Sequence, residues 1–472
     1  MTSSTGSEPK QSDCEPIAAR LGRYIAGARA EAFSAPVRQK AGTCLLDGLA
    51  LGIAAGEEAT TRALLASPFL PSASDGCLVW ADGRRAPLCD AVWLNGYAVH
   101  ARFQDDCDMT SWTHPGSLVL PAALAVAEAA GASLERALTG IVCGYSVLHW
   151  LGAAEKIGRG VVARAFRASP TLGPVAAAAA AAAVLELSAE QAANALAVAA
   201  ATAGGVIETV RSGSSDWRFQ NGSASWRGAV SALLAREGVD GAPEVFESEK
   251  GFVRAFAGLE ELPVELSRQP DPESICTVWA KPYPTLGDNV AVASAASRLV
   301  ERCAFDHTDI TAIRVHQNAE FASYPGTAYR GPYTKPTQAI ASTAFAVAAA
   351  LARGSITFDL YSSALDNPEI LSLIEKVTVC PEDRYGYLDG KVVVETVGGG
   401  EFSADTRQIP KEFFYRDRPA ATTAFTATLR EVGITGDANS FAQRLLERVA
   451  GDDLQISTGE LLAEAMDLRA QR

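Results

Sequence analysis

The feature that most constrains the fold is a run of eight consecutive alanines at residues 176–183, within the apolar segment 170–187. Alanine has the highest helix propensity of the amino acids, and its small side chain allows neighbouring backbones to approach closely. Charged or polar residues bound the segment too closely for a membrane span of about 20 apolar residues. The run therefore predicts a tightly packed helix at the centre of a helical domain.

Most of the first 265 residues share this helical character. Apolar residues recur at the spacing of one helix face in segments 17–30, 35–54, 121–130 and 134–153. This spacing predicts that the first part of the chain forms an all-helical domain.

The pattern changes near Pro263. The polar stretch 268–273 contains two prolines and is typical of a linker. Beyond it, ITAIRVH at 310–316 alternates apolar and polar residues, and KVVVETV at 391–397 is rich in the β-branched residues that favour strands. Helical patterns lie between these two segments and return at 439–450.

These patterns predict a mainly α protein of two domains. Residues 1–267 and 408–472 are expected to form a large all-helical domain. Residues 268–407 are expected to form a smaller α/β lid domain, inserted before the C-terminal helices. The length of 472 residues agrees with two domains of ordinary size.

The charge and the cysteine pattern exclude several classes of function. The 41 Lys and Arg residues against 55 Asp and Glu give a formal net charge of −14, whereas nucleic acid binding needs a basic patch. The nine cysteines form no CxxC pair and the five histidines form no close ligand pair, so no metal is expected. The sequence shows no glycine-rich nucleotide motif and no targeting or membrane segment, which predicts a cytoplasmic protein without a cofactor.

The densest polar cluster spans residues 94–121 of the helical domain. His114 on this stretch is either a general acid or base near neutral pH or a loop histidine that hydrogen-bonds the chain, and its chemistry alone leaves both open. Asp105, Asp106 and Asp108 form either a cation site or a set of solvated loop acids, of which the second is favoured.

Two further clusters carry cations. Arg211, Arg218 and Arg227 offer guanidinium groups that bind carboxylates or phosphates, unless they pair with neighbouring acids. Lys281 opens the segment KPYPTLGDN at the start of the second domain. It either reaches into a cleft between the domains or is one of many exposed lysines.

In this order, the clusters resemble the motifs of the MmgE/PrpD family, whose members include dehydratases, decarboxylases and an epimerase. The shared residues are Asn95-Gly96, His100, Asp105-Asp106, His114-Pro115-Gly116-Ser117, Pro121-Ala122, Gly144-Tyr145 and Lys281-Pro282-Tyr283-Pro284. The resemblance covers roughly residues 35–410. It implies a large helical domain, a smaller lid, a site in the cleft between them, a homodimer, and no metal or organic cofactor.

The resemblance also implies roles for particular residues. The expected catalytic residues are His114, Lys281, Tyr145 and Tyr329. Tyr324 and Tyr333 lie close enough to Tyr329 to be alternatives for the lid tyrosine.

Several family positions are replaced in this chain. The family's first acid falls on Phe103, its threonine on Cys107, a histidine on Arg167 and a lysine on Trp217. The retained and new cations favour a substrate with one or more carboxylates, and the two aromatic residues suit a bulkier derivative. The residues expected to contact the substrate are Arg167, Arg218, Phe103, Cys107, Trp217 and Asp106.

The expected function is a cofactor-independent lyase, a dehydratase or decarboxylase that acts by proton transfer next to a carboxylate. An isomerase or epimerase of the same family and a catalytically inactive member that binds a metabolite are the alternatives, because replaced proton-transfer groups fit both new chemistry and lost activity. The expected partners are a small carboxylate substrate and a second copy of the chain, with no nucleic acid and no membrane.

Overall fold

The structure is a computed structural model that describes residues 15–303, 305–410, 412–451 and 453–470. Helices dominate it, and its strands form two small sheets. The prediction of a mainly α protein with a smaller α/β part is therefore confirmed. The helices of the first part of the chain are α1 (Ile17–Gly27), α2 (Ala35–Ala54), α3 (Ala59–Leu65), α4 (Leu88–His100), α5 (Pro115–Ala129), α6 (Leu134–Leu151), α7 (Lys156–Ala163), α8 (Ala168–Val184), α9 (Ala189–Ala201), α10 (Glu208–Ser212) and α11 (Trp217–Arg236).

The alanine run lies in α8, and its residues 176–182 are fully buried, as predicted. Helices α5, α6, α9 and α11 surround it. A Cβ added to Gly228 of α11 would lie 2.5 Å from the carbonyl oxygen of Pro174, and one added to Gly140 of α6 would lie 2.8 Å from that of Ala180. Small residues on both sides of the contact therefore allow the helices at the centre of the domain to pack backbone against backbone.

The second part of the chain contains a four-stranded sheet, whereas the described residues of the first part carry only the small hairpin of β1 (Cys77–Leu78) and β2 (Arg85–Ala86). β3 (Ile310–Gln317) pairs in parallel with β4 (Val377–Pro381) and antiparallel with β5 (Gly390–Thr396). β6 (Glu401–Asp405) completes the order β4-β3-β5-β6, so the two segments predicted as strands form its central pair. The helices of this part are α12 (Gly287–Arg302), α13 (Ala319–Ala322), α14 (Pro336–Ala341), α15 (Thr343–Arg353), α16 (Leu360–Ser363) and α17 (Pro368–Lys376).

After the sheet, the chain returns to the first helices. Helices α19 and α20 pack on α2, and Phe425, Leu429 and Phe441 belong to the same apolar cluster as the helical core. The helical core is therefore built from two separate stretches of the chain. The returning helices are α18 (Glu412–Tyr415), α19 (Arg418–Glu431), α20 (Ala438–Ala450) and α21 (Thr458–Ala470).

The apolar clusters change between Val278 and Tyr283. Ile275 and Val278 still pack with the helical core, whereas Tyr283 packs with the cluster that joins α12, α15 and the sheet. The segment that carries Lys281 therefore crosses from one cluster to the other.

No single helix among the described residues is long and apolar enough to span a membrane. The bent pair α6 and α7, at 69° to each other, passes the same test of length and composition when the two are taken together.

Candidate active site

A cavity of about 60 Å³ lies where the helical domain meets the α/β domain. Its first wall includes His114, the residue before α5, and Arg167, the residue before α8. Its second wall includes Asp288 in the first turn of α12 and Tyr324 just after α13. Polar groups from both domains converge on this partly enclosed space, which makes it the candidate active site.

The imidazole of His114 is held from its Nδ1 side. Its Nδ1 lies 3.0 Å from the carbonyl oxygen of Asp106 and 3.4 Å from Sγ of Cys107, and its main-chain N–H donates to Oγ of Ser169 at 3.1 Å. Because a carbonyl oxygen only accepts, we assign the proton to Nδ1, which leaves a lone pair on Nε2. Burial, with Lys281 adding to it, holds the pKa of His114 well below its ordinary value. A neutral His114 therefore offers Nε2 as a base.

The guanidinium of Arg167 is oriented by neutral acceptors. It donates to Nε2 of His100 at 3.0 Å, to the carbonyl oxygen of Trp217 at 3.1 Å and to Oε1 of Gln220 at 3.2 Å. No carboxylate among the described residues lies within ion-pair distance of it. The Arg167 charge is thus fixed at the cavity wall, where it is able to bind an anionic group.

His100 links that guanidinium to a buried acid. Its Nδ1 lies 2.8 Å from Oδ2 of Asp105, so the Nδ1–H donates to the carboxylate and Nε2 accepts from Arg167. Burial lowers the pKa of His100 to about 4, which keeps the imidazole neutral. Burial opposes ionisation of Asp105, but His100, His114 and Lys281 together hold its pKa below the usual range. The Asp105–His100–Arg167 chain therefore balances the charge of the arginine without occupying its cavity side.

Lys281 lies behind the cavity wall and is fully buried. Its ammonium group donates to the carbonyl oxygen of Phe103 at 2.8 Å and lies 4.5 Å from the centre of that ring. A pair of main-chain hydrogen bonds between Cys107 and Trp279 holds the lysine segment against the loop of the helical domain. Phe103 and Cys107 line the cavity, whereas Lys281 contributes its positive charge from the second layer.

The loop that carries Phe103 is strained. Phe103 has φ of 54° and Trp112 has φ of 60°, both in the left-handed region that non-glycine residues rarely adopt. Both side chains line the cavity. Such conformations cost of order 1–3 kcal/mol each and persist where the surrounding contacts impose them. The lysine bond to the Phe103 carbonyl is one such contact.

Asp106 and Tyr145 lie behind the cavity wall and do not line the cavity. Tyr145 donates its hydroxyl to Oδ2 of Asp106 at 2.7 Å, and the main-chain N–H of Gly116 donates to Oδ1 at 2.6 Å. Burial raises the pKa of Asp106 to about 7. A Cβ on Gly116 would lie 2.9 Å from Oδ1, so only glycine fits there without a shift. These contacts fix the Asp106 carbonyl that holds His114.

Three other expected site residues also lie outside the cavity wall. Trp217 is fully buried, donates to Oγ1 of Thr337 at 3.1 Å and packs edge-on against Phe103 with ring centres 4.6 Å apart. Arg218 donates to the carbonyl oxygen of Ala101 at 3.0 Å. Tyr329 donates to the carbonyl oxygen of Pro332 at 2.6 Å. Of the lid tyrosines considered, Tyr324 is the one that reaches the cavity.

The three acids that the sequence offers as a possible cation site bind different partners. Asp105 binds His100, Asp106 binds Gly116 and Tyr145, and Asp108 accepts from Ser111 and lies 3.1 Å from Nδ1 of His149. No group of three ligating side chains converges anywhere in the described part of the chain.

Three polar residues that shape the chemistry of the site are not among the leading sequence predictions: Asp288 and Tyr324 on the cavity wall, and His100 behind it. One acid in a turn carries no motif, so the sequence gives no signal for Asp288. Tyr324 stood only as an alternative to Tyr329. His100 belongs to the motif NGYAVH, and its contacts with Asp105 and Arg167 show what it does.

Comparison with known proteins places this chain in a family. Residues 19–265 match the model of the MmgE/PrpD N-terminal domain, and residues 283–424 match that of the MmgE/PrpD C-terminal domain. The chain belongs to the MmgE/PrpD family, so the resemblance seen in its motifs is confirmed.

Curated relatives are similar over much of their length. The cis-aconitate decarboxylase-like protein oryM of Aspergillus oryzae (strain ATCC 42149 / RIB 40) is 27% identical over 476 residues, covering 95% of this chain and 96% of the relative. Cis-aconitate decarboxylase of Mus musculus is 26% identical over 365 residues, covering 71% of this chain and 69% of the relative. The names of these relatives support an enzyme of the lyase type.

Proposed function

We propose that the chain is a cofactor-independent lyase that moves a proton at a carbon atom beside a carboxylate of a small carboxylic acid. The observation that carries the proposal is the pairing, in one cavity, of the free Nε2 of His114 with the guanidinium of Arg167. Removal of a proton next to a carboxylate needs both a base and a cationic group that stabilises the enolate. The two residues supply these two needs.

Each group has a definite part in the proposed reaction. Arg167 holds a substrate carboxylate, and the buried charge of Lys281 adds a positive potential from behind Phe103. Nε2 of His114 takes the proton from the neighbouring carbon. The electron pair left on that carbon then forms a double bond as the neighbouring hydroxyl group leaves, and the protonated His114 returns its proton to that oxygen, so that water is released and the imidazole is neutral again.

Decarboxylation in the same cavity breaks the bond between the carbon and its carboxylate, and the electron pair of that bond stays on the carbon. The substrate carboxylate leaves as carbon dioxide, and the carbanion takes a proton from the hydroxyl of Tyr324. Burial, with Asp288 adding to it, raises the pKa of Tyr324, so that this hydroxyl carries its proton at neutral pH. The names of the curated relatives favour this branch.

The experiment is incubation of the purified protein with a panel of di- and tricarboxylic acids, including cis-aconitate, in deuterium oxide, followed by proton NMR. Release of carbon dioxide identifies a decarboxylase, and loss of water identifies a dehydratase. Deuterium entering unchanged substrate identifies an isomerase of the same family. Binding of an acid without any of these changes contradicts the proposal and favours an inactive metabolite-binding member.

The variant His114→Gln tests the proposed base. It preserves some hydrogen bonding and removes proton transfer, so turnover by dehydration or isomerisation should fall by about 100-fold or more; for decarboxylation, in which Tyr324 delivers the proton, the same loss is expected of Tyr324→Phe. His316→Gln is the matched control, since His316 lies on β3 and pairs with Glu382 outside the cavity. Turnover of His114→Gln within threefold of the His316→Gln variant would refute the role of His114.

A further inference from the structure

We propose that Asp288 is a further acid of this site, whose protonated carboxyl donates a hydrogen bond to an oxygen of the bound carboxylic acid. The inference rests on the proposed function, because it needs a carboxylic acid in the same cavity. It gives the α/β domain a direct part in substrate binding.

The first support is the placement of the carboxyl. Asp288 is the second residue of α12 and lines the cavity, whose other wall carries His114 and Arg167. Among the described residues, no side chain forms a hydrogen bond or an ion pair with the Asp288 carboxyl; only its own main-chain N–H does so. A carboxyl without a side-chain partner is thus available to a ligand that enters the cavity.

The second support is the set of charges around it. Lys281, before α12, favours the ionised form of Asp288, whereas Glu320 on α13 opposes it. Burial outweighs both and raises the pKa of Asp288 to about 7. Across the cavity, Arg167 provides the fixed positive charge.

The neighbouring cavity groups do not titrate near neutrality. Burial lowers the pKa of His114 and raises the pKa values of Cys107 and Tyr324, so all three stay neutral between about pH 6 and 8. Among the groups that line the cavity, a change of charge over this range therefore belongs to Asp288; Asp106, whose pKa is also raised to about 7, lies behind the wall, and Asp106→Asn should keep the wild-type dependence of Kd on pH.

The consequence is a link between anion binding and one proton. A protonated Asp288 donates to a substrate oxygen, whereas an ionised Asp288 repels an anionic substrate. Affinity for a carboxylate should therefore fall as the pH rises through about 7, by up to tenfold for each pH unit above it.

The experiment is a titration of succinate, chosen as a dicarboxylate probe, into the full-length protein at pH values from 6.5 to 8.5, with Kd measured by calorimetry or NMR. Succinate stays ionised over this range, since ordinary carboxyl pKa values lie near about 4. In the wild type, Kd should rise about tenfold between pH 7.5 and 8.5. In Asp288→Asn it should change by less than about twofold, because the amide donates at every pH.

The matched control is Glu369→Gln, which removes an acid from the first turn of another helix of the same domain, α17. This variant should keep the wild-type dependence of Kd on pH. Arg167→Met should lose binding at every pH, because it removes the cation that holds the carboxylate.

The results separate the two proposals. Suppose that succinate binds, that Arg167→Met abolishes binding, and that Asp288→Asn keeps the wild-type dependence of Kd on pH. The inference about Asp288 is then overturned and the proposed function stands. If the wild type fails to bind succinate even at pH 6.5, both the carboxylate site and the role of Asp288 are overturned.

A second measurement excludes a purely structural role. An ionised acid in the first turn stabilises a helix, so a structural Asp288 would make Asp288→Asn less stable at pH 8. A partly buried carboxyl with a raised pKa acts oppositely: its contribution to stability is present at low pH and is lost as the pH rises through about 7. Urea unfolding should therefore show Asp288→Asn at least as stable as the wild type at pH 8.

Discussion

Replacement of Arg167 by methionine tests the site most directly. Methionine keeps much of the side-chain volume and removes the charge and all of the hydrogen bonds. The change leaves Nε2 of His100 and the carbonyl oxygen of Trp217 without their present donor, and both are buried. A buried acceptor that loses its donor costs about 1–3 kcal/mol, so the free energy of unfolding should fall by about 2–4 kcal/mol after methionine burial offsets part of the loss.

The effect on catalysis is separate and has its own magnitude. A hydrogen bond from a charged donor contributes about 1.5–3 kcal/mol, so loss of the Arg167 bond to a substrate carboxylate should lower kcat/KM by roughly 10- to 150-fold. Arg167→Lys keeps the charge and loses the planar guanidinium, so its kcat/KM should lie between those of the wild type and Arg167→Met.

The assays are urea unfolding for stability and initial rates with the best acid of the panel for kcat/KM. Arg164→Met is the control, because Arg164 lies three residues away and is exposed. If Arg167→Met loses stability as expected but keeps kcat/KM within about threefold of the Arg164→Met variant, Arg167 holds the fold together and does not bind the substrate.

Three further outcomes are expected. Turnover should survive dialysis against EDTA, since no three ligating side chains converge in the part of the chain that the structure describes; loss restored by a divalent ion would contradict this. In urea unfolding, the free energy of unfolding of the wild type should fall by about 1 kcal/mol more between pH 6 and pH 8 than that of Asp106→Asn. The reason is that the pKa of Asp106 is raised to about 7, so its contribution to stability is lost as the pH passes that value. Gly228→Ala should cost about 2 kcal/mol or more through overpacking against α8, whereas Gly27→Ala, where a Cβ meets open space, should be neutral or stabilising; equal melting temperatures would refute the close packing.

The helical core was predictable because its signal is local. The alanine run favours a helix of small residues through its own propensity. The apolar spacing in segments such as 35–54 is that of one helix face. The strands β3 and β5 were predictable for the same reason. The parallel pairing of β3 with β4 was not, since it joins residues more than 60 positions apart and depends on how α15 and α17 fill the connection.

The candidate site was predictable only where it coincides with motifs. His114 and Arg167 stood in marked segments, and both line the cavity. Which tyrosine faces the cavity depends on how the chain runs between α13 and α14, and spacing alone does not distinguish Tyr324 from Tyr329. Lys281 was expected at the cleft, yet it lies behind Phe103, because the strained backbone there presents a carbonyl oxygen to the ammonium group.

The return of the last helices to α2 constrains how the protein is made on the ribosome. The helical core needs Leu461 and Leu468 as much as Leu45 and Leu49, since all four are buried in one cluster. After residue 266, about 200 more residues must be synthesised before that cluster is complete, which takes roughly 10–40 s at 5–20 residues per second. During this interval α2 presents an uncovered apolar face, which favours aggregation of the incomplete chain, so the first domain is a poor choice for expression on its own.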